Sequence, residues 1–124
     1  MKFQRIYADA QGASHFEEVE LDFSADEFVP GKPAFGVTPA YAVAGAVFAK
    51  VPLDWDGGWH PTPRRQFVVI LSGALDIRTC DDEVRRFTQG NVFLLEDTIG
   101  EGHHTTMMGE TEGTLLFAWL DPPR

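Results

Sequence analysis

The chain has 124 residues, 44% of them hydrophobic, including 10 Phe and 3 Trp. This length suits one domain with a real core, so we expect a single globular domain over residues 1–124 and no membrane-spanning segment. A formal net charge of -9, with only 10 Lys and Arg, argues against nucleic acid or an anionic membrane as a partner, since both need a basic face.

The N-terminal residues and the cysteine content both bear on location. Met1 to Asp9 lack the apolar core of a secretion signal. The single cysteine, Cys80, cannot form an internal disulfide, and it lies beside an acidic turn that disfavours a reactive thiolate. We therefore expect a cytoplasmic protein.

Residues 1–24 predict one or two short strands. Val19, Leu21 and Phe23 alternate with acidic residues, which is typical of a half-buried strand. His15 follows a turn-like link, and we expect an ordinary histidine at the surface or at a strand edge.

Residues 25–40 are dense in Pro and Gly, which exclude a regular helix or a central strand. We expect an irregular, extended segment. It either lies over the mouth of a pocket or forms a surface connection anchored by Phe28 and Phe35.

Residues 40–51 are small and apolar. They predict one strand, because Gly45 and Pro52 argue against a helix. Residues 53–59 then contain Asp-Gly and Gly-Gly steps, which indicate a loop with a tight turn.

A polar segment interrupted by two prolines next leads into an apolar run that ends at Ser72-Gly73. This pattern predicts functional polar side chains immediately before a buried strand. If the segment is extended, its side chains alternate between two faces. One face would carry His60, Thr62, Arg64 and Gln66, and the other Phe67, Val69 and Leu71.

The rest of the chain continues as short strands between turns. Residues 74–79 and 84–87 flank an acidic turn and predict a hairpin. Residues 92–95, 103–108 and 114–120 predict further apolar strands. Because no stretch has a sustained helical period with caps, the chain indicates an all-β fold, and a jelly-roll-like barrel is the natural form for this size.

The polar segment and the strand after it resemble the first motif of the cupin superfamily, whose members are small double-stranded β-helix barrels. Gly73 matches the closing glycine of that motif. Its two histidines and its glutamate then fall on His60, Thr62 and Gln66. The opening glycine is replaced by Asp54.

The second cupin motif begins at Gly90, with Glu96 where the family has Pro and Thr98 where it has Gly. The histidine of the motif would be supplied by His103 or His104, which requires an extended turn before them. Neighbouring residues of a strand point to opposite faces, so only one of the two lines the cavity.

We prefer His103, because it directly follows Gly102, where the chain would re-enter the barrel. Met107 would share its face, near the position of the family's asparagine, and is expected to contact a ligand.

The resemblance implies a divalent metal such as Fe, Mn, Ni or Zn inside the barrel. Position by position, its ligands would be His60, Gln66 and His103, while Thr62 replaces a histidine. Imidazole suits these metals, but an amide oxygen is a weaker donor than a carboxylate, so binding should be weaker than with the full set of ligands. The alternative is a metal-free pocket in which Thr62 and Gln66 hydrogen-bond a ligand.

Other residues near these motifs are candidates for the site. Arg64 is expected to hold an anionic group of a ligand. Trp55 and Trp59 are expected either to wall the pocket or to pack in the core. Glu96 and Asp97 are candidate catalytic carboxylates that would move a proton or orient a metal-bound histidine, with capping of the turn as the alternative.

The resemblance leaves two main functions open, because the fold does not choose the reaction. The first is a metal-binding cupin that acts on, or senses, a small polar organic molecule, as an oxygenase, isomerase or lyase if it is an enzyme. The second is a metal-free, non-catalytic cupin that binds a small molecule. A third is an interaction module. Since cupins often pair through edge strands, the resemblance also implies a homodimer.

Overall fold

The computed structural model describes residues 1–120 of the chain. These residues form twelve strands: β1 (Lys2–Ala8), β2 (Ser14–Glu20), β3 (Ser24–Asp26), β4 (Phe35–Val37), β5 (Val43–Val51), β6 (Asp56–His60), β7 (Gln66–Ser72), β8 (Ala74–Arg78), β9 (Val84–Thr88), β10 (Val92–Leu95), β11 (His103–Met108) and β12 (Gly113–Leu120). No helix in this part of the chain has the length and apolarity that crossing a membrane would require.

The strands form two large sheets and a separate hairpin. One sheet has six strands in the order β2-β1-β10-β7-β12-β5, and the other has four in the order β6-β11-β8-β9. Strand β1 pairs with β10 in parallel, and the other pairings described are antiparallel. The prediction of an all-β fold is confirmed.

The main core lies between the two sheets. Ile6, Val68 and Ile70 from the six-stranded sheet belong to one buried cluster with Leu75 and Ile77 from the four-stranded sheet. Each of these side chains is at most 2% exposed. The sheets therefore pack face to face as in a jelly roll, as the strand pattern predicted.

Strand β7 is apolar on both faces because the six-stranded sheet has a second, smaller cluster on its other side. Phe3, Leu94 and Leu120 are buried there, and Phe67 packs against them. The ring of Phe67 meets Phe3 edge to face at 5.7 Å and Tyr41 at 5.0 Å. The predicted alternation along β7 is confirmed, since its other face turns toward the main core.

Strand β6 corrects the prediction of a loop over residues 53–59. Asp56 to His60 pair with β11, and the register shifts within that pairing. Gly58 has a φ of 62°, and its N–H donates to the Asp56 carboxylate at 2.9 Å. The turn chemistry seen in the sequence is thus present as a β-bulge inside a strand, and pairing with β11 overrides the local preference for a loop.

Residues 25–40 lie largely outside the two sheets. Strands β3 and β4 pair only with each other, which agrees with the exclusion of a helix or a central strand. The rings of Phe28 and Phe35 pack together at 5.5 Å, but both remain at least half exposed. They do not anchor the segment on the core, so that expectation is wrong.

His15 lies on the edge strand β2, as expected. Its two ring nitrogens contact the carboxylates of Asp9 at 2.7 Å and Asp81 at 3.1 Å. These hydrogen bonds, Asp9 first, raise the pKa of the His15 imidazole, with partial burial opposing them. The residue belongs to a surface cluster and not to the interior.

Candidate functional site

A cavity of about 330 Å³ lies between the two sheets. Its wall is mostly apolar and is drawn from both sheets, with Val68, Leu75, Phe93, Leu95, Leu115 and Phe117 among its residues. None of residues 25–40 lines it. The segment therefore does not lie over the mouth of this pocket, which was one of the two expectations for it.

A few polar side chains meet at this cavity. His60 ends β6, Gln66 begins β7 and His103 begins β11. His60 and His103 are direct partners in the antiparallel pairing of β6 with β11, and their ring centroids are 5.0 Å apart. Thr62, in the connection between β6 and β7, also lines the cavity. His60 and His103, which are 43 positions apart in the sequence, thus become neighbours through strand pairing.

The His60 ring has a defined tautomer. Its Nδ1 lies 3.0 Å from the Gly58 carbonyl oxygen, which only accepts a hydrogen bond. Nδ1 therefore carries a proton, and in the neutral ring Nε2 has the lone pair. Trp55, which lines the same cavity, meets the His60 ring edge to face at 6.0 Å.

His103 is held by a buried carboxylate. Its Nδ1 donates to Asp97 Oδ2 at 2.6 Å, and the two side chains are 3% and 0% exposed. A charge-assisted hydrogen bond of this kind orients the ring and leaves Nε2 as the free nitrogen. The other oxygen of Asp97, Oδ1, is buried without a hydrogen-bond partner.

Asp97 therefore positions His103; the sequence-based expectation was that it would orient a metal-bound histidine. It does not line the cavity, so the expectation that Asp97 moves a proton directly on a ligand is not supported by its placement. Any effect of Asp97 on a ligand passes through the His103 ring.

Thr62 and Gln66 hydrogen-bond each other. The Thr62 hydroxyl donates to the Arg64 carbonyl oxygen at 2.7 Å and accepts from Gln66 Nε2 at 3.2 Å. Both side chains are buried. The only hydroxyl hydrogen of Thr62 is thus already used inside the protein, while the amide oxygen of Gln66 points away from this contact.

Arg64 and Trp59 are not where the sequence predicted. The Arg64 guanidinium lies over the Trp119 ring at 4.2 Å, and neither Arg64 nor Trp59 lines the cavity. Residues 61–65 are not in a strand, so the alternation assumed between His60 and Arg64 does not apply. Trp59 is 45% exposed because it points to the opposite side of β6 from His60.

Glu96 also lies outside the cavity. Its Oε1 accepts from Arg5 at 3.1 Å, and its Oε2 pairs with Arg65 at 2.7 Å. The side chain is only 16% exposed. A carboxylate held between two guanidinium groups has no free oxygen for proton transfer at the cavity, so the expected catalytic role of Glu96 is corrected to a structural one.

The alternation predicted along β11 is present. His103 and Met107 face the cavity, while His104 turns outward and contacts Asp56 at 3.1 Å. Thr105 lies between them on the inner face and lines the cavity too. The sequence analysis overlooked Thr105, although its position two residues after His103 was the signal that would have found it.

The residues present offer a divalent metal two imidazole nitrogens and one amide oxygen, from His60, His103 and Gln66. Within residues 1–120, no three His, Cys, Asp or Glu side chains form a group that could hold a metal ion. The ligand types suit Fe, Mn, Ni or Zn, but the set contains no anionic ligand and therefore fits a metal only in part.

No family model and no curated protein matches the chain. Solved structures do match it. One is the cupin domain of Cnp3 from Schizosaccharomyces pombe, with 15% identity and a TM-score of 0.47, covering 97% of this chain and 88% of that chain. Another is a double mutant of the QdtA 3,4-ketoisomerase from Thermoanaerobacterium thermosaccharolyticum in complex with TDP, with 20% identity and a TM-score of 0.46, covering 83% and 80%.

A third is the conserved SPY1581 protein of unknown function from Streptococcus pyogenes, with 22% identity and a TM-score of 0.46. That match covers 64% of this chain and 66% of the streptococcal chain, just under two thirds of its length. A cupin domain is among the solved structures that the chain is similar to. These are similarities of fold.

One glycine allows the two histidines to meet. Gly102 has a φ of 76°, and a Cβ at this position would overlap the carbonyl group of His60. Its own carbonyl oxygen accepts from the Ser14 hydroxyl at 2.7 Å. The close approach of these two backbones brings His103 beside His60.

We predict that Gly102→Ala lowers the free energy of unfolding by about 3 kcal/mol, because it adds a steric overlap to the cost of a positive φ. Gly109→Ala is the matched control, since Gly109 has a φ of 91° but open space around its Cβ. That variant should lose only about 1 kcal/mol. Urea unfolding measures both, and equal losses would contradict the close approach described here.

Proposed function

We propose that the chain binds a small organic molecule in the cavity between its sheets. The apolar body of the ligand packs against the wall, and one polar group meets His60 and His103. The observation that carries this proposal is a mostly apolar cavity of about 330 Å³ with a few polar side chains converging on it, which is the usual composition of a small-molecule site.

The energetics show why both parts of the cavity matter. Burying an aromatic body of roughly 150 Å² contributes about 4 kcal/mol at about 25 cal/mol/Å², which corresponds to a dissociation constant of about 1 mM. Hydrogen bonds at the polar end must supply the rest of a useful affinity. The polar end therefore determines which molecules bind.

We predict that Thr105→Phe weakens the binding of benzyl alcohol at least about tenfold, because the new ring occupies the cavity. Thr106→Phe is the matched control, since Thr106 is exposed on the other face of β11. It should bind within about twofold of the wild type. Isothermal titration calorimetry measures both. Equal affinities in the two variants would place the ligand elsewhere, and the absence of wild-type binding would count against the proposal.

A second candidate is a metal-binding cupin in which His60, Gln66 and His103 hold a divalent ion. The observation that favours it is the placement of Asp97 behind His103, since metal-bound histidines usually donate their second ring N–H to a carboxylate or a carbonyl. His60 makes the same kind of contact with the Gly58 carbonyl. A bound ion of Fe, Mn, Ni or Zn would supply a Lewis acid for an oxygenase, isomerase or lyase reaction.

For this candidate we predict near-stoichiometric metal in protein purified without chelator and without a metal-carrying tag. His60→Ala and His103→Ala should each abolish it, because two ligands alone bind weakly. His104→Ala is the control, since His104 faces away from the cavity. Elemental analysis gives the answer. Wild-type protein that contains no metal and takes up none of the four ions would sink this candidate and leave the metal-free one.

We also propose that two copies of the chain associate through strand β5 and the segment before it. Residues 33–49 contain no charged side chain, although the chain as a whole carries -9. Strand β5 forms an edge of the six-stranded sheet, and Phe48 on it is 75% exposed. Long apolar edges of this kind invite pairing, which here would extend the sheet across a two-fold axis.

The charge of the chain is the argument for a second copy as the partner. Two molecules that each carry -9 repel each other, so their contact is least unfavourable where neither presents a charge. Residues 33–49 are such a region. Ala49 and Val51 of β5 also line the cavity, so the partner would cover the strand that forms part of its wall.

We also propose a cytoplasmic location, because the chain has a single cysteine, Cys80, and so cannot form an internal disulfide.

We predict that Phe48→Glu converts a dimer into a monomer, because it places a charge on an exposed position of the uncharged segment. Val84→Glu is the control, since Val84 is 46% exposed on β9, in the other sheet. It should leave the dimer intact. Size-exclusion chromatography with light scattering measures the mass of each. A wild-type monomer at high concentration would refute the association.

A further inference from the structure

The polar end of the cavity offers more hydrogen-bond acceptors than donors. His60 and His103 each donate Nδ1–H to the protein, so each presents the lone pair of Nε2 to a ligand when its ring is neutral. Thr62 has no hydrogen left, because its hydroxyl donates to a backbone carbonyl. Gln66 uses one amide N–H on Thr62 and keeps its carbonyl oxygen and one N–H. The polar end thus presents three hydrogen-bond acceptors and one donor, the amide N–H, while the Thr105 hydroxyl can either donate or accept.

The charges around the cavity point in the same direction. Among the lining residues that the structure describes, Lys50 is the only Lys or Arg, and its side chain is 73% exposed, with the ammonium 3.9 Å from Glu112. Arg64, which could have held an anion, stacks on Trp119 instead. Asp97 places a buried carboxylate directly behind His103, with one oxygen unpartnered. A negative ligand would find no fixed positive charge there.

We propose that the ligand of this cavity is a small, largely apolar primary amine, bound as its ammonium ion. This inference rests on the proposed ligand cavity and names the class of molecule that fits it. An ammonium group has three N–H donors, which match the two Nε2 atoms and the Gln66 oxygen in number. The Asp97 carboxylate, acting through His103, offsets its positive charge, and the Trp55 ring supplies an aromatic wall that favours a cation over an anion.

The test compares four molecules that share one ring: benzylamine, benzyl alcohol, benzoate and toluene. Titration into the wild-type protein at pH 7.5, followed by calorimetry and by amide chemical shifts of the cavity residues, ranks them. We expect benzylamine to bind at least about tenfold more tightly than benzyl alcohol, since hydrogen bonds to charged groups are the stronger ones. Benzoate should be the weakest of the three polar ligands.

Asp97→Asn tests the source of the preference, because it removes the charge and keeps an oxygen for the His103 N–H. The ratio of the affinities for benzylamine and benzyl alcohol should fall to within about threefold, and a general loss of binding would lower both affinities without changing that ratio. Glu96→Gln is the matched control, since it removes the adjacent charge, which Arg5 and Arg65 hold outside the cavity. That variant should keep the full preference for the amine.

The failure of this inference can be told from the failure of the proposed function. If toluene or benzyl alcohol binds but benzoate equals or exceeds benzylamine, the cavity is a ligand site and the amine assignment is overturned. A preference for benzylamine that persists in Asp97→Asn would also overturn it, because a group other than Asp97 would then recognise the ammonium charge. If none of the four molecules perturbs the cavity residues, the ligand cavity itself is refuted.

Discussion

The hydrogen bond between Asp97 and His103 is the interaction on which the candidate site depends. A carboxylate that is 0% exposed is costly to bury unless it has a partner, and removing the partner of a buried charge costs several kcal/mol. Asp97 follows β10 and His103 opens β11, so this single contact ties the two large sheets together at the cavity. The backbone carbonyl of Asp97 also accepts from the Thr62 N–H at 3.1 Å. The connection before β7 is therefore fixed by the same residue.

The two histidines are oriented by different means with the same result. His60 is set by a backbone carbonyl from its own strand, and His103 by a carboxylate from a distant one. Both keep Nε2 free, so the site can accept hydrogen bonds from a ligand or share a cation. Because their strands pair directly, the backbone pairing itself places the two ring centroids 5.0 Å apart.

The arginines near the motif serve the structure and not the cavity. Arg5 and Arg65 enclose Glu96, and Arg64 stacks on Trp119. Their absence from the pocket changes its chemistry, because a site expected to attract an anion has no arginine in its wall and has a buried carboxylate behind His103. Residues 33–49, in contrast, contain no charged side chain in a chain whose formal net charge is -9.

The sequence by itself determined the all-β class, nearly all of the strands of the two sheets, and the inward placement of His60, Gln66 and His103. Hydrophobic alternation with a period of two is a local property, and it survives folding wherever a strand is continuous. Tertiary structure decided what alternation could not. Pairing with β11 made β6 a strand, the break at residues 61–65 turned Arg64 away, and the neighbours of Asp97 and Glu96 separated a positioning carboxylate from a structural one. These outcomes depend on contacts between residues far apart in the chain, which no local pattern records.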